Sequence, residues 1–424
     1  MKNYPTKSAV EGNLIFLSGM DGRDVKTGVV SSNVFEEQIV VALDKIRTAM
    51  EEAGSSMNNI IKTHMIVANP EYYPRMRRTE LEYYQKYAPL LVENPPASTV
   101  ISASLAKLEF LIEIDAIGVI SRDKLDSKVS FYPEYLGGKK LAYPHAAPEM
   151  PKYSRSAVAG NLIFLSGVTG QDMDTGVIMS NVFFEKQMVI ALDKIRVAME
   201  EAGGSMNNII RTLMIVRNLR DYPRMRKTEV KYYQKYAPLL VEDPPASTFI
   251  VPTFMSIAGS SVEIDVTGVI SRDKPGSEVK FYPCYWGGKK LAYPHVPLEH
   301  PKFATSAVVG NLVFVSGCEA LNHETVRTET DNFEEQVVIC LDKIRTALEE
   351  AGSSMNNIIK THMLLVHPGN YSSLRKVELE YYRKHAPLLL EQPPASTCIV
   401  PASLAMPEFL IEIEAYAVIS RSKS

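Results

Sequence analysis

Arginine and glutamate recur together three times in this chain, as Arg77 with Glu80, Arg226 with Glu229 and Arg375 with Glu378. A guanidinium can clamp a carboxylate or phosphate through two parallel N–H donors. The three-residue spacing favours a helical ion pair, solvated or at an interface, over such a clamp. The hydroxyls of Ser98 and Thr99, Ser247 and Thr248, and Ser396 and Thr397 could donate to a ligand or to backbone at the start of a strand. Arg122, Arg272 and Arg421, each closing an "ISR" triplet, read as charges at a strand end. His64 and His362 match each other, but Leu213 fills the middle copy, which argues against a repeated metal site. No nucleophile with a base and an orienting group recurs, and "GSSMNN" has neither the spacing nor the lysine of a phosphate loop.

These groups repeat because the chain does. Pro95, Pro244 and Pro393 are successively 149 residues apart, and "EEAGSSMNNIIKTHM" from Glu51 returns from Glu200 and Glu349 with few changes. So long a period is domain-sized, which predicts domains over residues 1–124, 153–274 and 303–424. Between them lie connectors 125–152 and 275–302, containing "FYPEYLGGKKLAYPH" and "FYPCYWGGKKLAYPH". Their aromatics and prolines predict ordered straps, not floppy linkers, and Lys139, Lys140, Lys289 and Lys290 read as solvated pairs beside Gly-Gly turns.

Within one copy, "LIFLS" from Leu14 predicts a strand. Phe35, Ile39, Leu43, Ile46 and Met50 recur at helical spacing, with Asn33 and Glu36 as a capping box and Gly54 as the stop. A strand "IIKTHMIV", a helix over Tyr73 to Tyr87, a strand after the Pro-Pro pair and a long last strand Phe110 to Ile120 follow. Each copy is therefore α+β. The last strand is apolar on both faces while two helices cover only one, so the other face needs a partner; three copies closing head to tail supply it. This predicts a monomer forming an intramolecular pseudo-trimer.

The 424 residues carry a net charge of −3, with Lys plus Arg (46) close to Asp plus Glu (49). That balance provides no field for nucleic acid, and no apolar run reaches membrane-spanning length. With no apolar stretch at its start, the chain reads as cytoplasmic. Cys284, Cys318, Cys340 and Cys398, confined to the last third, read as reduced thiols.

"GNLIFLSG", "FEEQ", "ALDKIR", "EEAGSSMNNIIKT", the "YY" helix, "PPAST" and "LIEIDAIGV", in this order, resemble the Rid family of reactive intermediate deaminases, also called the YjgF or endoribonuclease L-PSP family. The resemblance implies chorismate-mutase-like α+β domains, each a mixed sheet with two helices on one face, and ligand clefts between neighbouring subunits. It also implies hydrolysis of small enamines or imines without metal or organic cofactor. The family glutamate that assists the water falls on Glu113, Glu263 and Glu412. The family arginine that clamps the substrate carboxylate falls on Ala97, Ala246 and Ala395, which implies an atypical substrate. Ser98, Thr99, Ser247, Thr248, Ser396 and Thr397 follow in the same motif and join it as substrate-binding candidates. The family's pocket tyrosine aligns with Thr6, Ser154 and Ala304, with Tyr153 and Phe303 beside it as substitutes. Strand alternation sets Asp115, Asp265 and Glu414 on the glutamates' face. The rival expectation is a non-catalytic module that binds a small metabolite or a protein in the same clefts.

Overall fold

The computed structural model describes residues 5–124, 127–178 and 183–421, so the outermost ends of the expected domains and the first two residues of the first connector lie outside it. In the first copy the sheet order is Ser8–Glu11, Leu14–Leu17, Ile112–Val119, Ile60–Val67, Ala97–Ser102. All neighbours are antiparallel except the last pair, where Lys62 lies opposite Ala97 in a parallel register. The other two copies repeat this order. The edge strand Ser8–Glu11 is one element that the sequence pattern did not reveal.

Helices Phe35–Glu52 and Tyr73–Tyr87 follow the predicted bounds closely. The capping differs from expectation. Val34 is the N-cap of the first helix and makes no side-chain cap bond, because its side chain carries no acceptor; its N–H donates to the hydroxyl of Ser32. Only the third copy keeps an Asn in register: Asn332 accepts from the Glu335 N–H at 3.0 Å.

Alternation along each strand sorts the side chains. Ile112, Ile114 and Ala116 join Ile39, Leu43 and Ile46 under the helices. Ile117 and Val119 turn to the opposite face, where they meet Phe16, Phe164 and Phe314 of all three copies in one apolar cluster. Each aromatic ring buried there contributes about 1.5–3 kcal/mol. All eight residues of Ile112–Val119 are consequently buried.

Equivalent hydrogen bonds cross every seam between copies. Ser98 N–H donates to Ser166 Oγ, Ser247 N–H to Ser316 Oγ, and Ser396 N–H to Ser18 Oγ, at 2.8, 2.9 and 2.8 Å. The Ser-Gly pair after each first hairpin is thus seam chemistry. Both connectors are ordered: Val129–Pro133 pairs antiparallel with Ser154–Ala159, and Val279–Pro283 with Ala304–Val309. Each connector is also stapled by a lysine. Lys152 and Lys302 each direct Nζ at three carbonyl oxygens within the preceding five residues, at 2.5 to 2.9 Å.

Candidate active site

Glu113, Glu263 and Glu412 sit at corresponding points of the last strands, each over the glycine of the Ser-Gly pair. A Cβ on Gly19, Gly167 or Gly317 would overlap the carboxylate. Glu113 accepts from Cys398 N–H across the seam at 3.2 Å, and Glu412 from Phe249 N–H across the next. Glu263 breaks the pattern by accepting from the hydroxyl of Ser256 in its own copy. Burial raises all three carboxyls. Glu113 is pushed up to about 8, with Asp21 adding repulsion, and Glu263 to about 7, with Ser256 opposing the rise. Glu412 is held well above the usual range by burial and by neighbouring Glu319. Carboxyls at about 8 and about 7, as in Glu113 and Glu263, can give and take protons near neutral pH.

Arg77, Arg226 and Arg375 do form the predicted ion pairs, with Nη1 to Glu80, Glu229 and Glu378 at 2.8, 2.9 and 2.8 Å. They are not solvated. Arg77 and Arg226 are almost wholly buried, and each turns Nη2 to the strand serine, Ser98 or Ser247, at 3.2 and 3.3 Å. Arg77, Ser98 and Glu263 line one cleft; Arg226, Ser247 and Glu412 line the next. A guanidinium from the second helix therefore stands in the same clefts as the carboxyls. The spacing revealed the ion pair, but nothing in the helix pattern revealed which wall it faced.

The clefts differ in room. Between the first and second copies, Glu134 and Arg155 form an ion pair at 2.8 Å and the remaining cavity is about 40 Å³. Between the second and third copies, Cys284 and Thr305 occupy those two positions, and a cavity of about 470 Å³ opens beside them. It adjoins one of about 360 Å³ lined by Tyr222, Trp286, Phe303, Phe409, Arg226 and Glu412; Phe303, Gly317 and Glu319 belong to both. Tyr153 and Phe303 thus lie in the first and second cleft respectively.

The other candidates go elsewhere. Ala97 and Ala246 place their methyls in the central apolar cluster, and Ala395 is fully buried, because odd-numbered positions of the first-copy strand face the other copies and not the helices. Thr99, Thr248 and Thr397 donate to Asp265, Glu414 and Asp115 at 2.5, 3.1 and 2.5 Å, which commits their hydroxyls to protein. Those acids form a buried ring. Asp115 meets His362 at 3.2 Å, His362 meets Glu414 at 2.6 Å, and Arg211 joins Glu414 and Asp265 at 2.6 and 2.8 Å. His64 closes the circuit between Asp265 and Asp115, at 3.3 and 3.8 Å. Lys62 pairs with Asp265, and Lys360 with Asp115 at 2.5 Å.

Burial alone would raise the acids, but these cations outweigh it, holding Asp115 and Asp265 well below the carboxylate range and Glu414 at about 2. His64, Asp115 and His362 are close enough together to ligate a cation. With Lys360 and Thr397 already on Asp115 Oδ2, the donor set suits charge pairing better than a metal.

The model of the family described as endoribonuclease L-PSP matches residues 2–120, 144–270 and 297–419. A RutC family protein of Pyrococcus abyssi is 28% identical over 114 residues, 27% of this chain and 84% of that protein. A 2-iminobutanoate/2-iminopropanoate deaminase of Dermatophagoides farinae is 28% identical over 117 residues, 27% of this chain and 86% of that protein. A solved chorismatase structure, at 12% identity, superposes over 85% of this chain and 93% of its own with a TM-score of 0.53, a likeness of fold.

Proposed function

Because the chain belongs to the endoribonuclease L-PSP family along three successive segments, we propose that it hydrolyses a small imine or enamine bearing an anionic group, in a cleft between copies. The observation that carries this reading is Glu412, a buried carboxyl with a raised pKa in the roomy second cleft that Arg226 and Ser247 also line. Family membership and the deaminase among the relatives support the reaction type.

The chemistry assigned to the cleft is hydration followed by loss of ammonia. Protonated Glu412 donates to the substrate nitrogen while water adds to the C=N carbon. The resulting carboxylate takes one proton from the added water to give a carbinolamine. Glu412 then passes that proton to the amino nitrogen and accepts the remaining hydroxyl proton as the C–N bond breaks, so one water is consumed and a carbonyl compound and ammonia leave. The guanidinium of Arg226, reaching in from its helix with Nη2 on Ser247, supplies the anion recognition that Ala246, turned into the central apolar cluster, does not. In this reading the protein is a monomer whose three copies close into a pseudo-trimer, acting in the cytoplasm. Among the described residues no helix is long and apolar enough to cross a membrane.

The test generates imino acids in place with an amino-acid oxidase and follows keto-acid release. Acceleration by wild type that Glu412→Gln removes is expected. No acceleration over buffer, together with thermal protection by a small carboxylate, would replace the reading with a non-catalytic binding module. Light scattering should give the mass of one chain.

A further inference from the structure

The first strand of each copy has an outer edge, and the three edges are not treated alike. In the second copy Ser154–Ala159 is covered by Val129–Pro133, and in the third Ala304–Val309 is covered by Val279–Pro283. In the first copy Ser8–Glu11 pairs only with Leu14–Leu17 among the described residues. Exposure follows: Val10 is 45% exposed, whereas Val158 and Val308 at the same position are 5% and 9% exposed.

The bare edge is not flush with the surface. It forms one wall of a cavity of about 460 Å³ whose other wall carries Ile358, Pro393, Pro394 and Arg421 from the third copy. Ser18 N–H donates to Lys7 carbonyl, so the backbone groups of Lys7, Ala9 and Glu11 turn inward and those of Ser8 and Val10 turn outward, without a backbone partner among the described residues.

The occupied sites show what such a groove holds. Both covering segments read Val-x-Phe-Tyr-Pro, with Phe131 opposite Ala157 and Phe281 opposite Ala307. Arg122 lies over the ring of Phe131 at 4.8 Å and Arg272 over Phe281 at 4.9 Å. Tyr132 and Tyr282 pack against the helix-covered cores of the second and third copies. Arg421 is the counterpart of those two arginines and lines the open groove, held by Gln392 at 2.7 Å and the Ile358 carbonyl at 3.3 Å. The backbone edge, the cationic platform for a ring and the apolar wall are all in place.

We propose that the groove between the third and first copies is a β-augmentation site for an extended segment of a partner protein with the pattern aliphatic-x-Phe-Tyr-Pro. The segment runs antiparallel to Ser8–Glu11, with its Phe opposite Ala9 under Arg421 and its Tyr toward the core of the first copy.

A fluorescein-labelled peptide of Ser127–Glu134, SKVSFYPE, titrated into the full chain tests this by anisotropy. Saturable binding is expected, weakened at least tenfold when Phe131→Ala is made in the peptide. In the protein, Val10→Pro, which deletes one outward N–H, and Arg421→Ala should each weaken binding at least fivefold. Circular dichroism checks that both variants fold, and Arg421→Ala keeps the test decisive should Val10→Pro not. No binding, or binding that ignores the Phe131 change and both protein variants, overturns the proposal. Concentration-dependent dimers that Val10→Pro abolishes would overturn it in favour of a second copy seated on the edge.

Discussion

The first and second clefts share their carboxyl, their serine and their buried arginine, yet one is filled and the other open. Two residues account for much of this. Glu134 and Arg155 lock together across the first, while Cys284 and Thr305, in the same two places, leave space in the second. Fused copies are free to diverge in this way; identical subunits of a trimer are not, because one sequence would set all three walls. Room for a ligand is therefore decided by the connector and first strand, and chemistry by the last strand and second helix.

The largest expected effect concerns what the clefts share. Removing Arg77 or Arg226 by substitution to Met strands a buried glutamate and should cost about 3–5 kcal/mol in either case; a large inequality in chemical denaturation would break the premise that the two floors are alike. Next comes activity. Glu412→Gln should lower keto-acid formation by about 10²-fold, while Glu263→Gln, in the filled cleft, should leave it within about twofold; the reverse ranking would move the working site to the first cleft.

A transplant of the plug sharpens the contrast further. Cys284→Glu with Thr305→Arg should raise KM about tenfold, or ~1.4 kcal/mol, without moving the melting temperature much. The smallest effect is in the pH dependence of stability. Glu263 is raised from 4.5 to about 7 in the folded chain, so its contribution is fully present below pH 4.5 and lost as pH rises through 7. Glu263→Gln should melt with wild type at pH 4 and a degree or two above it at pH 8, by scanning calorimetry.

The sequence disclosed the repeat, both main helices and the central strands, because apolar spacing and the 149-residue offset are local or self-referential signals. It did not disclose Ser8–Glu11, whose four residues have no pattern of their own and become a strand only against Leu14–Leu17. The resemblance makes Ala97 a cleft residue because the family's clamp arginine aligns on it; the strand's orientation, set by its parallel pairing with Ile60–Val67, turns it toward the other copies. The plug was invisible since Glu134 and Arg155 belong to different segments and pair only across a folded seam. The ring does leave one clue in the sequence. Positions 62, 211 and 360 hold Lys, Arg and Lys, while 64, 213 and 362 hold His, Leu and His, so the longer, forked cation appears where the imidazole is missing.

That exchange has a consequence for ancestry. Arg211 spans Asp265 and Glu414 by itself, the link that His64 or His362 makes elsewhere in the ring. Leu213→His alone would set a third imidazole among acids that Arg211 already pairs, and Arg211→Lys alone would leave a shorter cation to bridge two of them. Neither change is tolerable without the other. The copies have become parts of one sentence, with a fixed word order, and no single substitution leads back to three interchangeable chains.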